Sequence, residues 1–492
     1  MTSQISEGSR PAAEPEEAAD PHRWKALAVC LAGGFMVLLD ISIVNVALPS
    51  MAHGLHASGD QIQWVLSGYS LTFGLLLVPA GRLGDARGRR RLWMLGLEGF
   101  TAASVLCGAA PNADWLVIAR LVQGLAAGLL TPQIQQRFRG RERAKAFGLF
   151  GATVGVSTAL GPVVGGLLIQ LFGQADGWRW VFFVNLPIGV LVLPFAFRLL
   201  PAAAGPQRSS QSDLDPVGVL LLGVGIVVLL LPFVQEQQWK GSGKWLLVPV
   251  ALLLLLVFLG WEVRYRRRGK EPVIDLALFA ERSFSFGSSM ITVFFAGFTS
   301  LFFVLTLMLQ FGRGYSALLA GVTTLPFALA SGAAAGIAGR VVHRFGRKLL
   351  VFGLVLATLG FLGVIGAVAW APVHAVGWAL IVPLVAGGAG SGMVISPNQA
   401  LTLSEVPVHR AGTAGGLIQV GQRIGSAVGI AAVGSVFFAR LSATRGDYAS
   451  ALERGLVVAV AFLVAALLLT VVEERVLRPR RQLAQSESLP QR

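Results

Sequence analysis

The chain has 492 residues, 54% of them hydrophobic and 13% charged, about half the charged fraction of a soluble domain, which is roughly 25%. Its formal charge of +15 would fit nucleic acid if it lay on one soluble face. The basic residues are instead broken into clusters between long apolar runs, each long enough to cross a hydrocarbon core of about 30 Å. The expected class is an all-α polytopic membrane protein whose surroundings are a lipid bilayer, with no nucleic-acid partner.

Residues 1–24, "MTSQISEGSRPAAEPEEAADPHRW", are polar, acidic and rich in Pro and Ala. They lack the basic start and small-residue cleavage site of a signal peptide and read as a disordered cytosolic tail. Fourteen spans are predicted after it, at 26–47, 62–80, 92–110, 115–130, 146–169, 180–200 and 216–234, then 245–263, 285–311, 317–338, 349–370, 376–395, 411–438 and 456–472. Cys30 and Cys107 fall near opposite ends of their spans, too far apart for a disulfide. "GRLGDARGRRR", "RFRGRERAK" and "RYRRRGK" carry five basic residues each and "GRVVHRFGRK" four, whereas "PSMAHGLHASGD" and "AAPNAD" carry no Lys or Arg. By the positive-inside rule the basic loops and both termini are cytosolic.

Two of these loops repeat each other. "GRLGDARGRR" from Gly81 and "GRVVHRFGRK" from Gly339 share a G-R-x-x-x-x-x-G-R-basic frame and lie eight spans apart. The expected organisation is a six-helix half over 25–200, two inserted helices with linkers over 201–283, a second six-helix half over 284–476, and a cytosolic tail over 477–492. Parallel repeats about an axis along the membrane normal are a transporter architecture, with the substrate site between the halves.

Five segments, taken in order, then resemble the major facilitator superfamily, in its fourteen-span drug:proton antiporter branch. "LLDISIVNVALP" is similar to that branch's first-span signature, and "GRLGDARGRRR" to the superfamily's cytosolic loop motif. "IARLVQGLAAG" with Arg120 resembles the fourth-span motif, "GVSTALGPVVGG" the fifth-span motif that separates antiporters from uptake carriers, and "WRWVFFVNLPIG" the sixth-span entry. The chain departs from the pattern in three places: His343 stands where the first half has Asp85, "TPQIQQRFRG" is about one helical turn short, and Gln422 precedes Arg423 where the family often has the reverse.

The resemblance implies a proton-coupled antiporter that exports lipophilic or cationic drugs, antibiotics or secondary metabolites by alternating access across a bacterial cytoplasmic membrane. The alternative is a carrier of the same fold for uptake or exchange of a small metabolite, which would be expected to lack "GVSTALGPVVGG". A receptor or scaffold would need a soluble domain that the short polar tails do not supply. No G-x-x-x-x-G-K-[ST] loop, Cys/His cluster or nucleophile–base pair occurs, so no nucleotide, metal, cofactor or enzymatic reaction is expected and the proton gradient is left as the drive.

The residues can also be read physically. A mid-bilayer carboxylate costs about 2.5–3.5 kcal/mol on insertion scales. Counted from Pro49 and Trp115 at 1.5 Å per residue, Asp40 and Arg120 differ in depth by roughly 6 Å, within reach of an Arg side chain. They form either a static ion pair or a proton site tuned by Arg120. Glu98, about two turns into the third span, is a further proton-coupling candidate or a locally paired residue. In the cytosolic loop Gly81, Gly84 and Gly88 are expected to make tight turns. Gly81, Asp85, Gly88 and Arg89 form a candidate conformational latch, with Asp85 docking, as the resemblance implies, on the start of span 13 near residues 411–413. Gly155, Gly161, Pro162, Gly165 and Gly166 allow close helix approach and a bend in span 5, which as plain packing needs no further role. Trp64, Tyr69, Phe294, Phe295, Gln310, Asn398, Gln419 and Arg423 suit a greasy cavity with sparse polar groups, or face lipid and neighbouring helices.

Overall fold

A computed structural model describes residues 23–130, 140–200, 215–234, 239, 241–270, 272–274, 276–372, 375–404, 406 and 411–487. Among the described residues the chain is all-helical, which suits a backbone in lipid because each peptide group finds its partner within its own segment. Fourteen helical rods follow one another. The first seven are α1 (Arg23–Gly54), α2 (Gly59–Arg87), α3 (Arg89–Gly108), α4 (Ala113–Leu130), α5 (Gly140–Phe172), α6 (Gly177–Phe183 continued by Asn185–Leu199) and α7 (Pro216–Val234). The others are α8 (Leu247–Arg267), α9 (Arg282–Leu307), α10 (Ala317–Phe345), α11 (Arg347–Trp370), α12 (Val376–Ala379 continued by Ile381–Thr402), α13 (Ala411–Ala443) and α14 (Tyr448–Glu487). Ten are long and apolar enough to cross a membrane. The other four are α2 and α3, whose ends carry charge, and α5 and α7, whose apolar stretches are the shorter Ala159–Phe172 and Pro216–Leu229.

The repeat read in the two basic loops is visible in the backbone. α2 passes into α3 at Gly88, with φ 99°, and α10 into α11 at Gly346, with φ 55°. Both angles lie in the left-handed region that a side chain disfavours. The turns are shorter than expected. Gly81 and Gly84 are helical positions of α2, which runs on to Arg87, so Gly88 alone makes the break. Two consecutive helices can share so sharp a corner because only one residue leaves helical conformation.

At this basic end each half ties its third helix to its sixth. Arg90 of α3 donates to the Phe197 carbonyl of α6, and its guanidinium lies 4.9 Å from the Phe197 ring. In the second half, buried Arg347 of α11 pairs with Glu473 of α14 and donates to Ser283 Oγ of α9 at 3.0 Å.

The halves meet along two seams related by the same eight-helix offset. In one, α5 packs between α1 and α10. A Cβ on Gly161 would fall 1.9 Å from Ser42 Oγ, and one on Gly165 2.8 Å from Ile43, so α5 touches α1 backbone to backbone. Gly166 and Pro162 face the other half, where a Cβ on Gly166 would lie 2.4 Å from Leu318 Cα and one on Gly321 2.3 Å from the Pro162 carbonyl. In the second seam α13 packs on α9, its Gly425 and Gly429 each leaving room for a carbonyl of α9 that a Cβ would meet at 2.0 Å. Its other side contacts α2. The pair α7–α8 covers this α2–α13 seam with a small cluster of Leu71, Leu222, Ile226, Phe258, Ala427 and Ala431. At the end opposite the basic turns, Gln310, in the π-helical turn Met308–Gly312 that continues α9, donates to the Val46 carbonyl of α1 at 2.8 Å and joins the halves there.

Gly166→Ala is therefore expected to destabilise the protein by about 1–3 kcal/mol through overpacking against α10. Gly332→Ala on α10, where a Cβ would meet nothing within 4 Å, is expected to be neutral or slightly stabilising. Thermal unfolding of the two purified variants checks this, and equal midpoints would remove the α5–α10 seam as a tight contact.

Candidate functional site

Five helices of the first half aim polar side chains at one sealed point. Asp40, midway along α1 and 0% exposed, receives Arg120 Nη1 of α4 on Oδ2 at 2.6 Å. Its Oδ1 accepts from Gln123 Nε2 at 2.9 Å and from Asn185 Nδ2 at 3.1 Å. Arg120 also donates through Nε to the Val65 carbonyl of α2 at 3.1 Å and through Nη1 to Gln123 Oε1 at 2.7 Å. The Tyr69 ring of α2 lies 3.9 Å from its guanidinium carbon. Ser104 Oγ of α3 accepts from Gln123 at 2.6 Å and from Asn185 at 3.2 Å, and Cys107 Sγ reaches Gln123 Oε1 at 3.5 Å.

Local sequence explains each placement. Gln123 follows Arg120 by three residues and so shares its face of α4. Asn185 opens the second segment of α6, where Pro187 in the first turn cannot donate to the preceding helix, and the chain restarts after Val184. The break points the Asn185 amide inward. The result is a carboxylate gripped by one cation and two amides. Buried charge is tolerated in such a place only when paired and hydrogen-bonded. Chemically the group can hold a proton in place of its ion pair, or the ion pair in place of a proton.

The other residues singled out in the sequence are placed as follows. Glu98 is exposed on α3, away from the Asp40–Arg120 pair. Gly88 makes the α2–α3 break and Arg89 is half-buried at the start of α3. The surroundings of Gly81 and Gly155, the side chains of Asp85 and His343 and the 131–139 connection lie outside what is described.

Of the eight residues expected around a cavity, Tyr69 and Arg423 meet through Phe73, Phe294 and Phe295 touch each other, and Trp64, Gln310 and Asn398 take separate places. Arg423 of α13 lies with its guanidinium carbon 4.3 Å from the Phe73 ring of α2, and Phe73 meets Tyr69 edge to face at 5.9 Å. Gln419 is half-buried one turn earlier on α13. Trp64 packs instead against the cluster beneath α7 and α8. Phe294 is sealed and stacks on Phe298 at 5.5 Å, Phe295 meets the same ring at 5.3 Å, and Phe302 and Phe327 extend this aromatic cluster into α10. Asn398, 0% exposed, donates to the Gly287 carbonyl of α9 at 3.2 Å and accepts from Thr402, which makes it a helix–helix tie. Gln310 is the tie between the halves described above.

Sequence reasoning passed over Ser104, Gln123 and Asn185. The signals were present: an amide one turn from the buried arginine, and an amide two residues before a proline inside an apolar run.

Comparison with known proteins follows the same lines. A family model described as Major Facilitator Superfamily matches residues 30–430. The chain is 38% identical over 428 residues to a "Probable actinorhodin transporter" of Streptomyces coelicolor, covering 85% of this chain and 73% of that protein. It is 34% identical over 484 residues to the "Puromycin resistance protein pur8" of Streptomyces alboniger, covering 95% of this chain and 94% of that one. A crystal structure of a bacterial homologue of the human lysosomal transporter Spinster, inward-facing and unoccupied, superposes with a TM-score of 0.65 at 17% identity, over 93% of this chain and 98% of that one. At that identity the superposition speaks for the fold alone.

Proposed function

Because the chain belongs to the Major Facilitator Superfamily, and so is a multi-pass membrane carrier of small molecules rather than an enzyme, we propose that it is a proton-coupled exporter of lipophilic drugs, antibiotics or secondary metabolites. It works by alternating access, with all fourteen helices crossing a bacterial cytoplasmic membrane and both termini in the cytosol. The export direction is supported by relatives of which one is called an antibiotic resistance protein and another, a protein of Streptomyces glaucescens 30% identical over 425 residues, a "Tetracenomycin C resistance and export protein".

The observation that carries proton coupling is the sealed Asp40–Arg120 pair with its two amide donors. In one state Asp40 is a carboxylate and holds Arg120. When a proton from the outside occupies Asp40, the guanidinium is released to its remaining acceptors, the Val65 carbonyl and Gln123. The helices α1 and α4 then need not keep the same relation, and the two halves can exchange which side is open. No cofactor is needed, since a proton moving inward gains about 2.3 kcal/mol per 100 mV, plus the pH term. Asp85, in its basic setting at the end of α2, is proposed as the latch that favours one of the two states.

The test is expression in a drug-susceptible bacterium lacking its own exporters, with resistance scored against a panel that includes puromycin and aromatic polyketides. Everted vesicles under an imposed pH gradient then supply the coupling. A compound on the resistance panel is expected to dissipate the gradient only in vesicles bearing the protein, and a protonophore is expected to stop its transport. Resistance that persists unchanged with a protonophore would overturn proton coupling, and no resistance to any compound would overturn the export reading.

A further inference from the structure

Arg120, Arg347 and Arg423 all lie within helix interfaces, and they are not equally provided for. Arg120 is held by a carboxylate, a carbonyl and an amide, and Arg347 by a carboxylate and a hydroxyl. Arg423 has none of these among the described residues. Its Nε finds no acceptor, its guanidinium rests on the Phe73 face, and it is half-buried where Arg120 is 1% exposed. A cation at membrane depth normally faces a partner or a ligand path, and one aromatic face replaces little of its lost hydration.

The position is built for the side chain. Gly74 of α2 has no Cβ where Arg423 passes; one placed there would lie 2.8 Å from Arg423 Cβ. So the arginine crosses the α2–α13 seam between the two halves, where carriers of this architecture bind substrate. A second orphan donor lies across the same ring: the Tyr69 hydroxyl is buried and without a hydrogen-bond partner among the described residues, and the Tyr69 ring meets, edge to face at 5.9 Å, the Phe73 ring that carries Arg423. Neither group is hydrogen-bonded to Asp40, whose oxygens accept instead from Arg120, Gln123 and Asn185. Two donors without an acceptor, set against the Tyr69 and Phe73 rings, describe the complement of an anion carried on a flat apolar body.

We propose that Arg423 and the Tyr69 hydroxyl form a subsite for an anionic group on the exported molecule, so that the substrates are acidic aromatic compounds: carboxylates, or ionised phenols and enols on fused rings. This rests on the export reading and narrows it, since lipophilic cations would meet the Arg423 charge unscreened. The guanidinium supplies charge-assisted hydrogen bonds to the anion, and the rings supply a face for stacking.

The experiment uses three probes on one ring system: 9-anthracenecarboxylate, 9-anthracenecarboxamide and 9-(aminomethyl)anthracene, titrated at neutral pH into the full-length protein in lipid nanodiscs. Wild type is expected to bind the carboxylate at least about tenfold more tightly than the carboxamide, and the ammonium most weakly. Arg423→Gln is expected to erase the carboxylate preference with carboxamide affinity retained, which also shows the variant to be folded, whereas Arg423→Lys keeps part of the preference. Equal affinity of wild type for carboxylate and carboxamide would overturn the proposal. So would a preference that survives Arg423→Gln, or loss of carboxamide binding in both variants, which would make Arg423 structural. Vesicle transport of the same probes keeps the two readings apart. Gradient-driven expulsion of the ammonium, unchanged in Arg423→Gln, sinks the anion site and leaves export standing. A carboxylate preference in binding without expulsion of any probe sinks export alone.

Discussion

Asp40→Asn is expected to reduce gradient-driven export to the level of vesicles lacking the protein, while the variant still inserts and folds. Asparagine keeps the shape of the side chain and one acceptor oxygen, which can turn towards Arg120 Nη1, now 2.6 Å from Asp40 Oδ2. The amides of Gln123 and Asn185 then need new orientations, and Ser104 Oγ, already bonded to both, remains as their acceptor. Arg120 keeps the Val65 carbonyl, Gln123 Oε1 and the Tyr69 face. What is lost is the only carboxylate of the network among the described residues. The measurement is transport, in everted vesicles with an imposed pH gradient, of any compound the wild type expels, alongside size-exclusion behaviour of the purified variant. Full gradient-driven transport by Asp40→Asn would make Asp40 an ion-pair partner only. The proton would then have to bind elsewhere, and Glu98, exposed on α3, would need another route into the protein.

Depth was legible in the sequence and direction around each helix was not. Counting residues from Pro49 and from Trp115 brings Asp40 and Arg120 to similar levels, and a rise of 1.5 Å per residue makes that count a distance. The structure closes it to 2.6 Å. The same counting puts Glu98 in the third span; it falls in helix α3, which turns it outward while Gly96, Leu97 and Phe100 turn in. Trp64 likewise has a cavity-like depth and a face that the α7–α8 pair covers. Direction needs a periodic contrast between polar and apolar positions, and a helix apolar all round supplies almost none. Glycines were the exception. Gly161, Gly165 and Gly166 mark the two faces of α5 because close approach of backbone leaves no room for a Cβ. The loop glycines misled for a related reason: composition alone does not distinguish a turn from a helix end, and only Gly88 of its run adopts a positive φ.

Arg120→Ala is expected to be more damaging to stability than Asp40→Asn, by about 3–5 kcal/mol, the cost of leaving one member of a buried pair behind. The asymmetry follows from what each partner retains. Without Asp40, the guanidinium still has two acceptors and an aromatic face; without Arg120, the Asp40 carboxylate keeps only two neutral amide donors, and Tyr69 and Gln123 lose a packed neighbour. Removing the charge on both sides should therefore recover much of the loss. The double variant Asp40→Asn/Arg120→Gln, which leaves amides to pair with amides at the junction of α1, α3, α4 and α6, is expected to unfold at a higher temperature than Arg120→Ala alone while remaining inactive in transport. Thermal unfolding of purified Asp40→Asn, Arg120→Gln and the double variant reads the coupling directly, with Arg120→Ala as the reference for the lost side chain. If Arg120→Ala is as stable as wild type, water or a rearranged side chain already serves Asp40. If the double variant is no more stable than Arg120→Ala, the loss belongs to packing of the arginine against Tyr69 and Phe182, and the charge of Asp40 is not what makes the site fragile.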